Sequence, residues 1–285
     1  MSTSVYSFEP SSFAAVVDRL RAAGCVFAED EARLLTAEAR TPGELHDMVG
    51  RRAAGLPLEQ VLGWAQFCGL RVAIDPGVFV PRRRSVLLVR EAVGLARQYV
   101  EPVSRGEDAA SVPLVALDLC CGSGAIGAAF AATLAGTGEA EVELHASDVD
   151  PVAVACARRN LSGVGGRVYQ GDLYRSLPGA LRGRVDILIA NVPYVPTDAV
   201  ALLPPEARDH EPLVALDGGP DGLDVLRRVC AEAPGWLAPG GGLLTETSER
   251  QLSAAVAIAT ANGLIARVAV WEEMDATVVV ATRPA

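Results

Sequence analysis

The chain has 285 residues, half of them hydrophobic, and its 25 Lys and Arg against 35 Asp and Glu give a formal net charge of −10. That length suits one large domain with a small one, and the acidic balance argues against broad binding to phosphate backbones while leaving room for a local basic groove. The first residues lack a basic stretch followed by an apolar core, no apolar run reaches membrane-spanning length, and the six cysteines show no C-x-x-C spacing, so the expectation is a cytoplasmic protein with reduced thiols.

Phe13, Val16, Val17 and Leu20 fall on one helical face, with Ser11 or Ser12 as cap and Gly24 as stop. A second helix follows over 28–40. Thr41-Pro42-Gly43-Glu44 combines a capping Thr, a Pro at the first helical position and a Glu three residues after the cap, which predicts a third helix ending near Gly55. Residues 1–63 thus read as a helical domain, either a stabilising appendage or a grip on the substrate. From Trp64 to Val80 the pattern turns to short extended pieces broken by Gly69 and by Asp75-Pro76-Gly77, a hairpin connector. Arg82-Arg83-Arg84-Ser85 leads into an amphipathic helix to about Val100; the arginines are a solvated helix start or a patch for an acidic partner. Gly106 to Val112 is a polar linker, so 64–112 reads as hairpin and helical linker.

Residues 113–285 alternate strand and helix patterns, the signature of an α/β sheet. The strands are Val115 to Leu119, Val142 to Ser147, Val168 to Gln170, Val185 to Ala190, Gly242 to Thr245, Ile265 to Trp271 and Thr277 to Ala281. The helices lie over 151–160, 223–236 and 248–262. The last two strands are separated only by Glu272 to Ala276, too short for a parallel crossover, so they pair antiparallel and the sheet is mostly parallel with one reversed strand.

The segment from Val115 to Gly127, Val-Ala-Leu-Asp-Leu-Cys-Cys-Gly-Ser-Gly-Ala-Ile-Gly, is a buried strand breaking into a glycine turn and a helix. Gly122 and Gly124 keep side chains away from the backbone amides at the helix start, where a ligand approaches. The spacing Gly122, Gly124, Gly127 satisfies G-x-G-x-x-G, a weak signal by itself. Asp118 sharpens it: a carboxylate at the strand end repels a pyrophosphate but suits an ammonium or a sugar hydroxyl, pointing to an amino acid joined to a nucleoside, S-adenosylmethionine. Asp148 ends the next strand, where its paired acceptors suit both ribose hydroxyls; its bland alternative is capping the helix from Pro151, which Asp150 can do instead. Asp172 suits the adenine amino group, with Leu173 against the ring face.

Asn191-Val192-Pro193-Tyr194 ends the fourth strand. An amide or arylamine nitrogen is a poor nucleophile because its lone pair is delocalised. Two acceptors on its N–H bonds, the Asn191 side-chain oxygen and the Val192 carbonyl, would fix the nitrogen and turn that lone pair towards a methyl donor, with Tyr194 covering the flat group. The plain alternative is a turn after a strand.

Asp118 to Gly127, Asp148 and Asn191 to Tyr194 together resemble the methyltransferases whose Asn-Pro-Pro-Tyr motif methylates planar nitrogens. The wider pattern is similar to the HemK/PrmC-type protein-(glutamine) methyltransferases, from about Gly55 to the C-terminus: Gly55-Leu-Pro with Leu62-Gly63, Phe67 with Gly69-Leu70, Phe79-Val-Pro-Arg82, Glu211-Pro212 with Ala215-Leu216, Asp221-Gly-Leu, and Leu237-Ala-Pro-Gly-Gly. The resemblance implies a class I methyltransferase fold, α/β and Rossmann-like, behind a small N-terminal helical domain. It also implies methyl transfer from S-adenosylmethionine to the glutamine of the Gly-Gly-Gln motif in peptide chain release factors, yielding S-adenosylhomocysteine. Asn191, Val192, Pro193 and Tyr194 would be catalytic, and Asp118, Cys120, Cys121, Gly122, Ser123, Gly124, Asp148, Asp172, Leu173 and Asn191 would hold the cofactor. The chain departs from the family at Cys120 and Cys121, usually Gly and a small polar residue, at Val192 for the first Pro of the motif, and at Arg83-Arg84-Ser85 for Pro, an acid and Thr. Arg208 to Pro212 is a residue longer.

Competing expectations are a nucleic-acid amino methyltransferase, which the acidic balance disfavours, a methyltransferase of another protein, a nicotinamide-dependent oxidoreductase, and a non-catalytic binding module. With only His46, His145 and His210 and no close His/Cys cluster, no metal and no membrane partner is expected.

Overall fold

A computed structural model describes residues 10–103, 113–138 and 140–285, so the linker expected over 106–112 lies outside the described residues. Helices α1 (Pro10–Ala22), α2 (Ala28–Glu38), α3 (Pro42–Ala53) and α4 (Leu58–Leu62) come first. Local chemistry sets α3: Thr41 Oγ1 accepts from Glu44 N at 3.1 Å, and Pro42 sits in the first turn, where a missing N–H costs nothing. The Glu44 carboxylate reaches past Thr41 to accept from Arg40 N at 2.8 Å. α1 begins at Pro10, so Ser11 and Ser12 lie within the helix rather than capping it. Leu20, Ala32, Leu35, Met48, Val49 and Val61 meet in a core belonging to these helices.

Strands β1 (Trp64–Phe67) and β2 (Leu70–Ala73) form an antiparallel hairpin. It reverses at Cys68-Gly69, with φ of 47° and 80°, the left-handed pair of a tight two-residue turn. Asp75-Pro76-Gly77 is therefore the exit from the hairpin, not its connector. After a 3₁₀ turn at Arg83–Ser85 comes α5 (Val86–Val103). Phe67, Val72 and Ile74 of the hairpin segment and Leu88, Ala92 and Leu95 of α5 share one buried cluster with Ala116, Ile187 and Val280 of the large sheet. The segment expected as a linker is a wall of the larger unit.

In order follow β3 (Leu114–Leu119), α6 (Ala125–Thr137), β4 (Val142–Asp148), α7 (Pro151–Ser162), β5 (Arg167–Gln170), β6 (Val185–Ala190), α8 (Pro205–His210), α9 (Leu213–Leu216), α10 (Asp224–Trp236), β7 (Leu237–Thr247), α11 (Leu252–Ala261), β8 (Ile265–Trp271) and β9 (Ala276–Thr282). The seven strands lie in the order β5-β4-β3-β6-β7-β9-β8. β3 pairs in parallel with both β4 and β6, which puts the topological switch at its carboxyl end. β9 runs antiparallel to β7 and β8, the single reversed strand of this sheet, as the short 272–275 connection requires. Side chains alternate across β3, Ala116 packing in the cluster with α5 and α6, and Leu117 and Leu119 in the one with α10 and α11, so the sheet is covered on both faces. No helix among the described residues is long and apolar enough to cross a membrane.

Candidate active site

Beyond the carboxyl ends of β3, β4 and β6 opens a cavity of about 770 Å³. Its wall takes in Cys120, Cys121, Gly122 and Ser123 from the turn after β3, Asp148 from the end of β4, Asp172 and Leu173 after β5, and Asn191 to Tyr194 after β6. Asp118 and Gly124 lie behind this lining. The turn is left-handed at Cys120 (φ 53°), Gly122 (54°) and Gly124 (76°), and Cys120 bears the strain that a side chain incurs there. A Cβ on Gly122 would meet no atom within 4 Å, so glycine keeps that part of the cavity wall open. A Cβ on Gly124 would stand 3.1 Å from Leu161 and 3.2 Å from Ala157, so this glycine serves the packing of α6 against α7 rather than ligand approach.

Asp148 is fixed by two backbone donors, Gly122 N to Oδ2 at 2.8 Å and Asp150 N to Oδ1 at 2.9 Å. Each oxygen keeps a lone pair for a further donor, as two ribose hydroxyls require. Burial raises its pKa, and the two N–H bonds hold it down. The helix-capping role falls to Asp150, whose carboxylate accepts from Val152 N at 2.8 Å. Asp118 accepts from Gly127 N at 3.0 Å through Oδ2, while Oδ1 is buried with no partner. Burial lifts its pKa to about 7, against the Gly127 bond and with a further push from Asp148. Asp172 is already engaged by Arg228, at 2.7 and 2.6 Å, which leaves it fewer free lone pairs for an adenine amino group.

Asn191 directs a buried side-chain oxygen that has no hydrogen-bond partner. Such an atom costs about 1–3 kcal/mol when left unpaired, and Asn191 as a residue lines the cavity beside Val192, Pro193 and Tyr194. The Tyr194 hydroxyl donates to Glu246 Oε1 at 3.0 Å and accepts from the Arg84 guanidinium. Burial, and then the Glu246 carboxylate, push the Tyr194 phenol well above its usual pKa, so it stays a donor. The reading of Arg82 to Arg84 as a solvated helix start is corrected here for two of the three. Arg84 Nε donates to Glu246 Oε1 at 2.9 Å, and Arg82 pairs with the fully buried Glu211 carboxylate. Arg83 is exposed at the cavity rim.

Release factor glutamine methyltransferases are among the proteins this chain resembles over most of its length. One from Streptomyces coelicolor is 36% identical over 72% of this chain and 67% of its own. The chain belongs to the release factor glutamine methyltransferase family. Against the member from Geobacter sulfurreducens, 37% identical over 70% of this chain, it spans 63% of the relative's length, less than two thirds. A 4-amino-L-phenylalanine/4-methylamino-L-phenylalanine methyltransferase of Streptomyces pristinaespiralis is 35% identical, over 78% of this chain and 71% of that one. The Methyltransferase small domain family matches residues 110–202, a stretch that contains the glycine turn and Asn191 to Tyr194. A methyltransferase of Pyrococcus furiosus shares the fold, with a TM-score of 0.53 at 16% identity over 83% of this chain and all of that one.

The site fits the S-adenosylmethionine of this family on its own terms. The open wall at Gly122, the paired acceptors of Asp148 and the unpartnered oxygens of Asp118 and Asn191 match a sugar, an ammonium and an acceptor N–H. The volume lies within the ~300–1,000 Å³ usual for small-ligand sites. Of the lining after Tyr194, the family motifs had marked Pro212, Ala215 and Leu216. Leu203, Pro204, Glu206 and Ala207 before and in α8, and Val214 of α9, line the cavity too and stood in no motif. Glu206 is tied to Arg52 of α3 at 2.7 Å, and Arg52 donates to Glu31 of α2 at 2.6 and 3.0 Å. Glu246 also escaped the sequence reading. The signal that picked out Asp148 and Asn191, a polar residue at the carboxyl end of a strand, was present in Leu243-Leu244-Thr245-Glu246.

Proposed function

We propose that this protein is an S-adenosylmethionine-dependent N-methyltransferase that methylates the side-chain amide of a glutamine, in the Gly-Gly-Gln motif of a peptide chain release factor. The observation that carries the reading is the buried, unpartnered Asn191 oxygen at the end of β6, an acceptor waiting for an N–H. The family relationship points the same way. When bound, S-adenosylmethionine supplies an electrophilic methyl on a sulfonium sulfur. Asn191 Oδ1 and the Val192 carbonyl accept the two amide N–H bonds and hold the nitrogen lone pair in line with that methyl. Tyr194 covers the flat amide and, with Phe79, keeps water from it. Bound there, the donor would supply the methyl carbon and leave as a neutral thioether, and the acceptor amide held by Asn191 and Val192 would give up one N–H proton. Positioning and desolvation, not a protein nucleophile, provide the acceleration. Asp148 holds the ribose, Leu173 and Asp172 the adenine, and Asp118 the ammonium through a water. Such a partner places the reaction in the cytoplasm.

A second reading, transfer to a small arylamine bearing a carboxylate, is favoured by the Streptomyces pristinaespiralis relative and by exposed Arg83 at the rim. The deciding experiment incubates the protein and labelled methyl donor with the release factor of its own organism, with a Gly-Gly-Gln peptide and with 4-amino-L-phenylalanine. Label on the glutamine is the expected result. Label only on the amino acid establishes the second reading, and label on neither refutes both.

A further inference from the structure

The Glu246 carboxylate is 3% exposed and faces the acceptor end of the cavity, so its charge must be met from within the protein. Oε1 accepts from Arg84 Nε at 2.9 Å and from the Tyr194 hydroxyl at 3.0 Å, and Oε2 accepts from Ser85 Oγ at 2.7 Å. The same guanidinium donates to the Tyr194 hydroxyl and lies 5.6 Å from the centre of its ring. One cation therefore touches both the buried carboxylate and the phenol that walls the acceptor slot. Arg84 stands in the 3₁₀ turn ahead of α5, and Glu246 lies 162 residues away on β7, so the contact joins the entry of α5 to the sheet end beneath the slot.

We propose that Arg84 is a positioning and specificity-determining residue: it locks the Tyr194 ring over the acceptor slot and balances Glu246, so that the slot takes an uncharged planar nitrogen and disfavours a cationic one. This rests on the methyl-transfer reading above. Without Arg84 the phenol keeps one partner instead of two, and the slot presents an uncompensated carboxylate. A carboxylate there attracts an ammonium or guanidinium acceptor and leaves a flat neutral amide poorly held. With the ion pair intact, the groups facing the acceptor are a neutral amide oxygen, a backbone carbonyl and a phenol ring.

The test has one arm that needs no substrate. The five tyrosines are replaced by 3-fluorotyrosine, and the Tyr194 fluorine resonance is assigned by its loss in Tyr194→Phe. Arg84→Gln should move or broaden that resonance, and Arg84→Lys should move it less, because Lys keeps the charge but not the two-way contact. A Tyr194 resonance unchanged in Arg84→Gln overturns the proposal whatever the acceptor is. In the second arm, single-turnover transfer to a Gly-Gly-Gln peptide at saturating donor should fall about 10- to 100-fold in Arg84→Gln, the range for one hydrogen bond to a charged group. Arg84→Lys should recover part of the rate, and donor affinity by calorimetry should hold. A donor affinity that falls in step with the rate means Arg84 acts only through the fold, and defeats the proposal. In the third, a Gly-Gly-Lys peptide should inhibit Arg84→Gln at lower concentration than the parent enzyme; equal inhibition overturns the charge-balance role. Failure of the parent to methylate the glutamine peptide sinks the glutamine reading instead, and the fluorine resonance then decides on Arg84.

Discussion

Asn191→Ala should separate catalysis from stability. The Asn191 oxygen is buried and unpaired, which the fold tolerates at about 1–3 kcal/mol. Truncation to Ala removes that unsatisfied atom and, against it, a few van der Waals contacts of a half-buried side chain. The two terms nearly cancel, so the unfolding free energy should change by less than about 1 kcal/mol, and in the stabilising direction if desolvation dominates. The transfer step should respond otherwise. An acceptor amide that loses one of its two fixed partners rotates freely in a desolvated slot, and removal of one preorganised contact costs about 10²–10³-fold in rate. Denaturant melts of parent and variant give the stability change. Single-turnover kinetics at saturating donor give the rate, and calorimetry with S-adenosylhomocysteine shows that the donor site is intact. A variant that loses more than about 2 kcal/mol of stability while transferring methyl at the parental rate would refute the reasoning, because the side chain would then be a structural turn residue.

Asp148→Ala should weaken S-adenosylhomocysteine by about 1.5–3 kcal/mol, the worth of hydrogen bonds to a charged group; unchanged affinity by calorimetry removes the ribose role. Gly124→Ala should destabilise the fold by about 1–3 kcal/mol, from the left-handed backbone and from crowding against Leu161 and Ala157, as read by chemical denaturation. Asp118 binds its proton more tightly folded, near pH 7, than unfolded, near the ordinary carboxyl value, so its contribution to stability is lost as pH rises from about 4 to about 7. Asp118→Asn should therefore gain on the parent across that window, by up to about 4 kcal/mol, and melts showing a parallel pH dependence for both would contradict the buried, half-paired carboxyl.

What the sequence determined by itself is what short-range rules govern. The strands over 185–190 and 265–271 follow from β-rich runs in which Asp186 and Arg267 are the only charged residues, and the four-residue gap over 272–275 before β9 dictates its antiparallel pairing. Thr41, Pro42 and Glu44 specify the start of α3 within four residues. Asp148 and Asn191 were visible because each stands at the carboxyl end of a strand, and ligands gather where parallel strands end. Gly124 misled for the complementary reason. Its left-handed turn is local and legible, but its role depends on Leu161 and Ala157 of α7, which no spacing announces. The same holds for the arginines after Pro81. In sequence they are a run of charge at a helix start. Only the fold brings Glu211 to Arg82 and Glu246 to Arg84 across 129 and 162 residues, and desolvation of those carboxylates makes the pairing obligatory. Arg52 shows how far this reaches, since its bonds to Glu31 and Glu206 join the N-terminal helices to the cavity lining through a contact that exists only once both have folded.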